Sequence, residues 1–161
     1  MAAKKSSPLT IIPLGGLDGI GKNMTVFECG DDIVLVDAVL MFPDDSQPGI
    51  DLVLPDYTKV LENEEKLRGI VVTHGHEDHT GSLPYLLQDL NNKVPIFSSK
   101  LTLGFIEGKI SEFRNRAPKF REVKGGSHVN LGGISLDFFS MTHSIPGALG
   151  VFIRTNQGTV M

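Results

Sequence analysis

The chain has 161 residues, enough for one domain with a buried core, and 40% of them are hydrophobic and 21% charged. Its formal net charge of −4 provides no overall basic surface, so composition alone gives no indication of nucleic-acid binding. The single cysteine, Cys29, excludes an internal disulfide and any site with several cysteine ligands, which fits a cytoplasmic location.

Strands are predicted for the first forty residues. We expect residues 1–8 to be a disordered tail, because "MAAKKSSPLT" has two lysines but lacks the apolar core of a signal peptide. Short β-branched runs bounded by Gly, Asn or Asp predict strands over Leu9–Leu14, Met24–Cys29 and Asp32–Ala38. The turn-forming "CGDD" predicts a hairpin between the last two. No apolar run in the chain reaches the roughly 18 to 20 residues of a membrane helix.

Helices and strands are predicted to alternate in the rest of the chain. Three prolines make 42–55 a long loop, and a helix with Asp56 as its N-cap follows. The later strands are predicted over 69–73, 94–99, 134–139 and 150–155, and the later helices over 83–90 and 101–113. This order predicts a layered α/β fold with a mixed sheet.

Three of the five histidines lie in "THGHEDHTG", directly after the buried strand predicted over 69–73. Residues two apart in an extended segment point the same way, so His74 and His76 can present imidazoles to one point. Asp78 and His79 follow after the chain turns and can face a second point nearby. Imidazole and carboxylate are ligands for zinc, manganese and iron, so the spacing predicts a two-metal site of the kind that hydrolases use.

A pair of metals needs ligands from elsewhere in the chain. His143, just after the strand predicted over 134–139, is the preferred candidate, and His128, in a predicted Gly-rich turn, is the weaker one. Glu77 is expected to point away from the metals. A lone histidine is more often a structural residue, but burying three histidines and an aspartate without partners would be costly.

"HGHEDH" resembles the signature of the metallo-β-lactamase fold, an α/β four-layer sandwich in which two mixed β-sheets are flanked by helices. The segments "GGLDGIGKNM", "LVDAVLMFP", "GIDLVLPD", "THGHEDHTGSLPYLL", "SKLTLGFIE" and "THSIPGALG" are similar to those of the ribonuclease J family, and the resemblance extends from about Leu9 to Met161. It implies hydrolysis of RNA, both endonucleolytically and from the 5′ end. It also implies two divalent metals, with zinc as the first expectation and manganese as the alternative, and assembly into homodimers or homotetramers.

The resemblance also implies roles for individual residues. It makes His74, His76 and His143 ligands of one metal, and Asp78 and His79 ligands of the other. Asp78 and His79 are the expected catalytic residues, with Asp78 near the attacking hydroxide.

Asp37, at the end of "LVDA", matches an aspartate that supports such sites without touching the metal. Independently of the resemblance, a carboxylate at a strand end can fix a histidine tautomer by hydrogen bonding, although a plain turn residue is the alternative. In the long loop, Gly49 and Asp51 could offer oxygens to a hard cation such as calcium, and a solvated loop carboxylate is the simpler interpretation.

Several features of the family are not found in this sequence. Gly19, Val39 and Gly147 stand where the family suggests glutamate, glycine and aspartate. Residues 9–161 are expected to be the N-terminal part of the domain. A metal-bridging aspartate, the inserted β-CASP domain, a late histidine ligand and a C-terminal domain are missing, so the isolated chain is expected to be nearly inactive.

Three other interpretations compete with this one. "GLDGIGKN" nearly fits a nucleotide-binding P-loop, but the strand that follows offers no helix N-terminus to phosphates. A small-molecule hydrolase of the same fold, such as a thioesterase or lactonase, also fits the histidine motif. A non-catalytic remnant or interaction module is the third.

Overall fold

The computed structural model describes residues 7–15, 23–41, 43, 47–91, 93–113 and 118–161. Its strands are β1 Leu9–Pro13, β2 Thr25–Cys29, β3 Asp32–Val36, β4 Leu67–Val71, β5 Pro95–Ser98, β6 Lys119–Glu122, β7 His128–Leu131, β8 Ile134–Ser140, β9 Leu149–Thr155 and β10 Gly158–Val160. Its helices are α1 Thr58–Glu62, α2 Glu77–Thr80, α3 Leu83–Asp89 and α4 Lys100–Ser111, with a 3₁₀ turn at Glu64–Lys66. Residues 1–6 of the expected tail, Gly19 and most of the near-P-loop segment lie outside the described residues.

The first sheet contains six of the described strands, in the order β1-β2-β3-β4-β5-β6. β1, β2 and β3 pair antiparallel, and the predicted hairpin between β2 and β3 is confirmed, with Gly30 at φ +65° in its turn. β3 to β6 pair parallel, with helices in the connections. This sheet is mixed, as predicted.

The second sheet contains the other four described strands, in the order β10-β9-β8-β7. All its pairings are antiparallel, so the expectation of two mixed sheets is correct for the first sheet only. The connections explain the difference, because turns such as Gly132–Gly133 are far too short for a parallel crossover. His128 begins β7 and does not lie in a turn, which corrects the sequence-based interpretation.

Two apolar clusters hold these layers together. Alternate residues of β3 point to opposite faces, so Ile33 and Leu35 join the helices in one cluster while Val34 joins the second sheet in the other. The described helices contribute buried residues to the first cluster only. The described layers are therefore helices, mixed sheet and antiparallel sheet. None of the helices in these ranges has the length and apolar character needed to cross a membrane.

At one end the sheets are joined by a polar contact. Asp32, the first residue of β3, accepts hydrogen bonds from Arg68 Nε at 2.6 Å and from the backbone N–H of Gly133 in the β7–β8 turn, also at 2.6 Å. The opposite end, where β3 and β4 finish, carries the four histidines that lie close together, His74, His76, His79 and His143. The two ends of the sandwich therefore differ in chemistry.

Val39 and Gly147, two of the positions where this sequence differs from the family, can be examined in the structure. Val39 is buried, and its position needs no left-handed backbone, because Asp37 (φ 59°) is the positive-φ residue other than glycine among those described. Gly147 does adopt φ +79°, and a Cβ there would lie 2.9 Å from Ser99 Oγ. Glycine suits that position, and the aspartate suggested by the resemblance would be strained there.

Candidate metal centre

His74, His76 and His143 bring three imidazole nitrogens together at the ends of β4 and β8. His74 Nε2 lies 3.1 Å from His76 Nδ1 and 3.1 Å from His143 Nε2. One nitrogen from each ring lies within 4.8 Å of the other two. His74 is buried, while His143 is exposed at the rim. The site therefore opens to solvent on the side of the second sheet.

This donor set fits a divalent transition metal. Zinc–nitrogen bonds of 2.0–2.1 Å at tetrahedral angles would separate two ligand nitrogens by about 3.3–3.4 Å. The observed 3.1 Å contacts are close to that spacing. The protein also holds the central ring from its other side, because Thr73 Oγ1 lies 2.9 Å from His74 Nδ1. That contact leaves Nε2 facing the other imidazoles.

The electrostatics of His74 favour the form that binds metals. Burial, and then the neighbouring rings of His79, His143 and His76, lower the pKa of His74 to about 4. A neutral imidazole offers a lone pair, whereas an imidazolium does not. The central ring is therefore ready to bind a metal at neutral pH without first losing a proton.

A second group of polar side chains surrounds His79, whose ring centre is 4.0 Å from that of His74. His79 Nδ1 lies 2.8 Å from Asp37 Oδ2, and His79 Nε2 lies 3.5 Å from Asp78 Oδ2. Burial acts to lower the pKa of His79, but the hydrogen bond and charge of Asp37, with the charge of Asp78, raise it above the ordinary value. Asp78 and His79 thus meet beside the three-histidine group but are not members of it.

Asp37 connects these two groups. Its buried carboxylate accepts hydrogen bonds from Thr73 N–H at 2.8 Å and from Thr73 Oγ1 at 3.0 Å, in addition to its contact with His79. Its φ of 59° is uncommon for a non-glycine residue and costs energy, and such conformations cluster at functional sites. Asp37 therefore contacts both His79 and the residue directly before His74, and its supporting role stays a prediction.

The other candidates lie elsewhere. His128 contacts Asp137 across two strands, Nδ1 to Oδ1 at 2.6 Å. Glu77 forms an ion pair with Lys109 of α4, in agreement with the expectation that it points away from the metals. Gly49 and Asp51 are exposed, and Asp51 is not in the donor group found among the described residues, so calcium there stays a prediction.

Two polar residues at the site were not singled out from sequence. Asn23 Nδ2 lies 3.2 Å from His79 Nε2, and Thr73 contacts both Asp37 and His74. Thr73 could have been found as the residue directly before the histidine motif. Asn23 had no local signal other than its place after a glycine-rich segment.

A cavity of about 450 Å³ adjoins the histidines between the two sheets. His74, His79 and His143 line one side of it, and apolar residues such as Phe27 and Val151 line much of the rest. The metal donors therefore border a largely apolar space, a setting in which charge interactions are stronger than in water.

Comparison with known proteins agrees with this architecture. Residues 17–157 match the profile of the Metallo-beta-lactamase superfamily. The metallo-beta-lactamase fold protein YhfI from Bacillus subtilis aligns with a TM-score of 0.61 at 17% identity, covering 95% of this chain and 60% of that one. At that identity the likeness shows the fold alone.

The curated relatives are much closer in sequence. Ribonuclease J of Thermus thermophilus is 45% identical over 94% of this chain and 27% of its own length. Ribonuclease J 2 of Staphylococcus aureus is 44% identical over 98% of this chain and 28% of its own. The chain thus spans about a quarter of the length of these relatives.

Proposed function

Because this chain belongs to the metallo-beta-lactamase superfamily, we propose that it forms part of a metal-dependent ribonuclease of the ribonuclease J type. The observation that carries the proposal is the convergence of His74, His76 and His143 beside the linked side chains of Asp37, His79 and Asp78. The superfamily contains hydrolases for many substrates. The identity to curated ribonuclease J proteins favours RNA among them.

Some residues of the site would bind metal, and Asp37 orients one of them. His74, His76 and His143 would hold one divalent metal through nitrogen lone pairs, and Asp78 with His79 Nε2 would contribute to a second. Asp37 keeps the proton of His79 on Nδ1. When bound, such metals polarise a phosphoryl oxygen and lower the pKa of water. Zinc is the first choice for this donor set and manganese the alternative.

Asp78 and His79 are the proposed catalytic residues. The side chain of Asp78 is 42% exposed and that of His79 17%, so both are accessible to water and substrate. We assign to Asp78 the acceptance of a proton from the attacking water. On the basis of the resemblance, we also propose that the enzyme cleaves RNA both from the 5′ end and endonucleolytically. We further propose that it forms a homodimer or homotetramer and is cytoplasmic.

These 161 residues by themselves are proposed to bind at most one metal tightly and to turn over little RNA. The second position has only Asp78 and His79 as donors on the described residues, one fewer than the three protein ligands of a typical catalytic zinc. RNA affinity also depends on basic contacts, and the chain has a net charge of −4. The intact mass of the native gene product, near 17.5 kDa or several-fold larger, would show whether other segments supply what is needed.

The function is tested with the native gene product, loaded with zinc or manganese and given a 5′-labelled single-stranded RNA. We expect metal-dependent cleavage that is abolished in His76→Ala and retained in His128→Ala, which changes a histidine on the outer face of the second sheet. Hydrolysis of a thioester or lactone with no cleavage of RNA would replace the proposal with a small-molecule hydrolase. RNA cleavage that survives in His76→Ala would refute the site.

A further inference from the structure

Helix α4 contacts the histidine segment at two points, although none of its residues is a candidate ligand. Leu103, Ile106 and Ile110 anchor the helix in the first apolar cluster. Phe105 and Lys109, four residues apart and so on one side of the same helix, reach the segment that carries His74 to His79. The segment is therefore supported by an element fixed in the core.

The polar contact is made by Lys109. Its ammonium group donates to Glu77 Oε2 and lies 3.4 Å from Thr80 Oγ1. Thr80 Oγ1 in turn donates to the backbone carbonyl of His76 at 3.1 Å. Lys109 thus reaches both ends of α2, the short helix that contains Asp78 and His79.

The apolar contact is made by Phe105 at Gly75, the residue between His74 and His76. A Cβ at Gly75 would lie 2.7 Å from Phe105 Cδ2 and 3.3 Å from Ile145 Cδ1. Ile145 belongs to the loop that carries His143. Gly75 is therefore packed closely between α4 and the loop of the third histidine.

A four-residue helix cannot hold its own geometry in water. α2 has no side-chain cap at its N-terminus, and the contacts from α4 are therefore important for its position. We propose that Lys109 is a positioning residue that fixes α2, and with it the donors from His76 to His79, in the arrangement needed for metal binding. This rests on the proposed function only in requiring that the three histidines bind a metal.

The experiment measures zinc affinity by competition with a chromophoric chelator for Lys109→Met, Lys109→Gln and Lys109→Arg. We expect Met and Gln to weaken zinc binding about tenfold, as is typical when a supporting contact of a metal site is lost, and Arg to restore most of it. Removing a positive charge near a cation site should by itself tighten binding. Weaker binding therefore cannot be a simple effect of charge.

Two further readouts separate positioning from a general structural role. In the metal-free protein, Lys109→Met should exchange the amide hydrogens of His79, Thr80 and Gly81 faster, because these N–H groups bond within α2. The thermal unfolding midpoint should change little, because ion pairs of this exposure contribute little to stability. Lys100→Met, at the exposed start of the same helix, should match the wild type in all three measurements.

Zinc affinity within twofold of wild type in Lys109→Met would overturn the proposal, as would equal weakening in Lys100→Met. Absence of RNA cleavage in every variant would refute the ribonuclease function and leave this test intact, because zinc affinity and amide exchange do not depend on the substrate.

Discussion

Asp37 Oδ2 lies 2.8 Å from His79 Nδ1, and this contact determines which nitrogen of His79 carries a proton. A carboxylate only accepts, so in the neutral ring the proton belongs on Nδ1, and the lone pair of Nε2 can accept from Asn23 Nδ2, which lies 3.2 Å away. The same carboxylate also receives the Thr73 N–H, directly before the first candidate ligand. The buried side chain of Asp37 thus contacts both His79 and the residue that precedes His74.

Replacing Asp37 should affect both stability and titration. In Asp37→Ala the part-buried Thr73 N–H loses its partner, which we expect to lower the free energy of unfolding by about 1–3 kcal/mol. Asp37→Asn tolerates the positive φ but removes the charge, so the pKa of His79 should fall. Urea unfolding and NMR titration measure the two effects. A change in stability below about 0.5 kcal/mol in the alanine variant, typical of a neutral surface site, would contradict the assignment.

In the metal-free protein, the pKa values of two neighbouring histidines should be shifted in opposite directions from the ordinary value. The pKa of His74 is lowered to about 4 and that of His79 is raised, and NMR titration of the imidazole C–H resonances would show this directly. Between pH 6.5 and about 4, His74 is protonated in the unfolded chain but neutral in the folded protein. The free energy of unfolding therefore decreases as the pH falls through that range. The contribution of His79 is complete below its unfolded pKa and is lost as the pH rises through its folded pKa. A midpoint near 6.5 for His74 would contradict the buried cluster.

Loss of one histidine of the trio should remove metal binding without unfolding the chain. We expect His76→Ala and His143→Ala to lose tight zinc binding and His128→Ala to keep it, as measured by calorimetric titration. Zinc at 1,000 times its Kd should add about 4 kcal/mol to the stability of the wild type, and a chelator should reverse this. Equal zinc binding by all three variants would place the metal elsewhere.

Two glycines inside α4 offer a stabilising change. A Cβ at Gly104 or Gly108 would meet no atom within 4 Å, and alanine loses less backbone entropy than glycine on forming a helix. Each substitution by alanine should add about 0.5–1 kcal/mol to the free energy of unfolding, measured with urea.

Gly81→Ala is the matched control, because its Cβ would lie 2.4 Å from Leu40 Cβ and 2.8 Å from the carbonyl oxygen of Glu77. That variant should be less stable than the wild type. Stabilisation by all three changes would mean that packing around Gly81 is looser than described.

Two isoleucines on strands of the first sheet provide a test of the core. Ile96 on β5 is fully buried, and Ile11 on β1 is 46% exposed. Ile96→Ala should reduce the free energy of unfolding by about 2–5 kcal/mol through lost burial and a residual cavity. Ile11→Ala should change it far less, and equal effects in urea unfolding would contradict the assignment of β5 to the interior.

The elements that could be predicted from sequence are those whose signal is local. The strand before His74 ends in an apolar run over 69–71, and the histidine motif is compact in sequence, so both could be recognised without knowledge of the fold. The hairpin of β2 and β3 was predictable for the same reason. In each case the determining residues are neighbours in the chain.

The missed elements depend on distant partners. β6, β7 and β10 are only three or four residues long, and their pairing with β5, β8 and β9 makes them strands. His128 was therefore assigned to a turn. The contact of Asn23 with His79 joins residues 56 positions apart, and no local pattern predicts it.

His74 and His143 lie 69 positions apart in the sequence and follow strands of different sheets. An ion bound by both would act as a cross-link between the sheets, at the end of the sandwich opposite the Asp32 contact. The unfolded chain does not keep such a site, so this cross-link would act in the folded protein only, and its contribution to stability would depend on the concentration of free metal. In a chain whose single cysteine excludes an internal disulfide, the same imidazoles that bind a metal for chemistry would also serve as its tether.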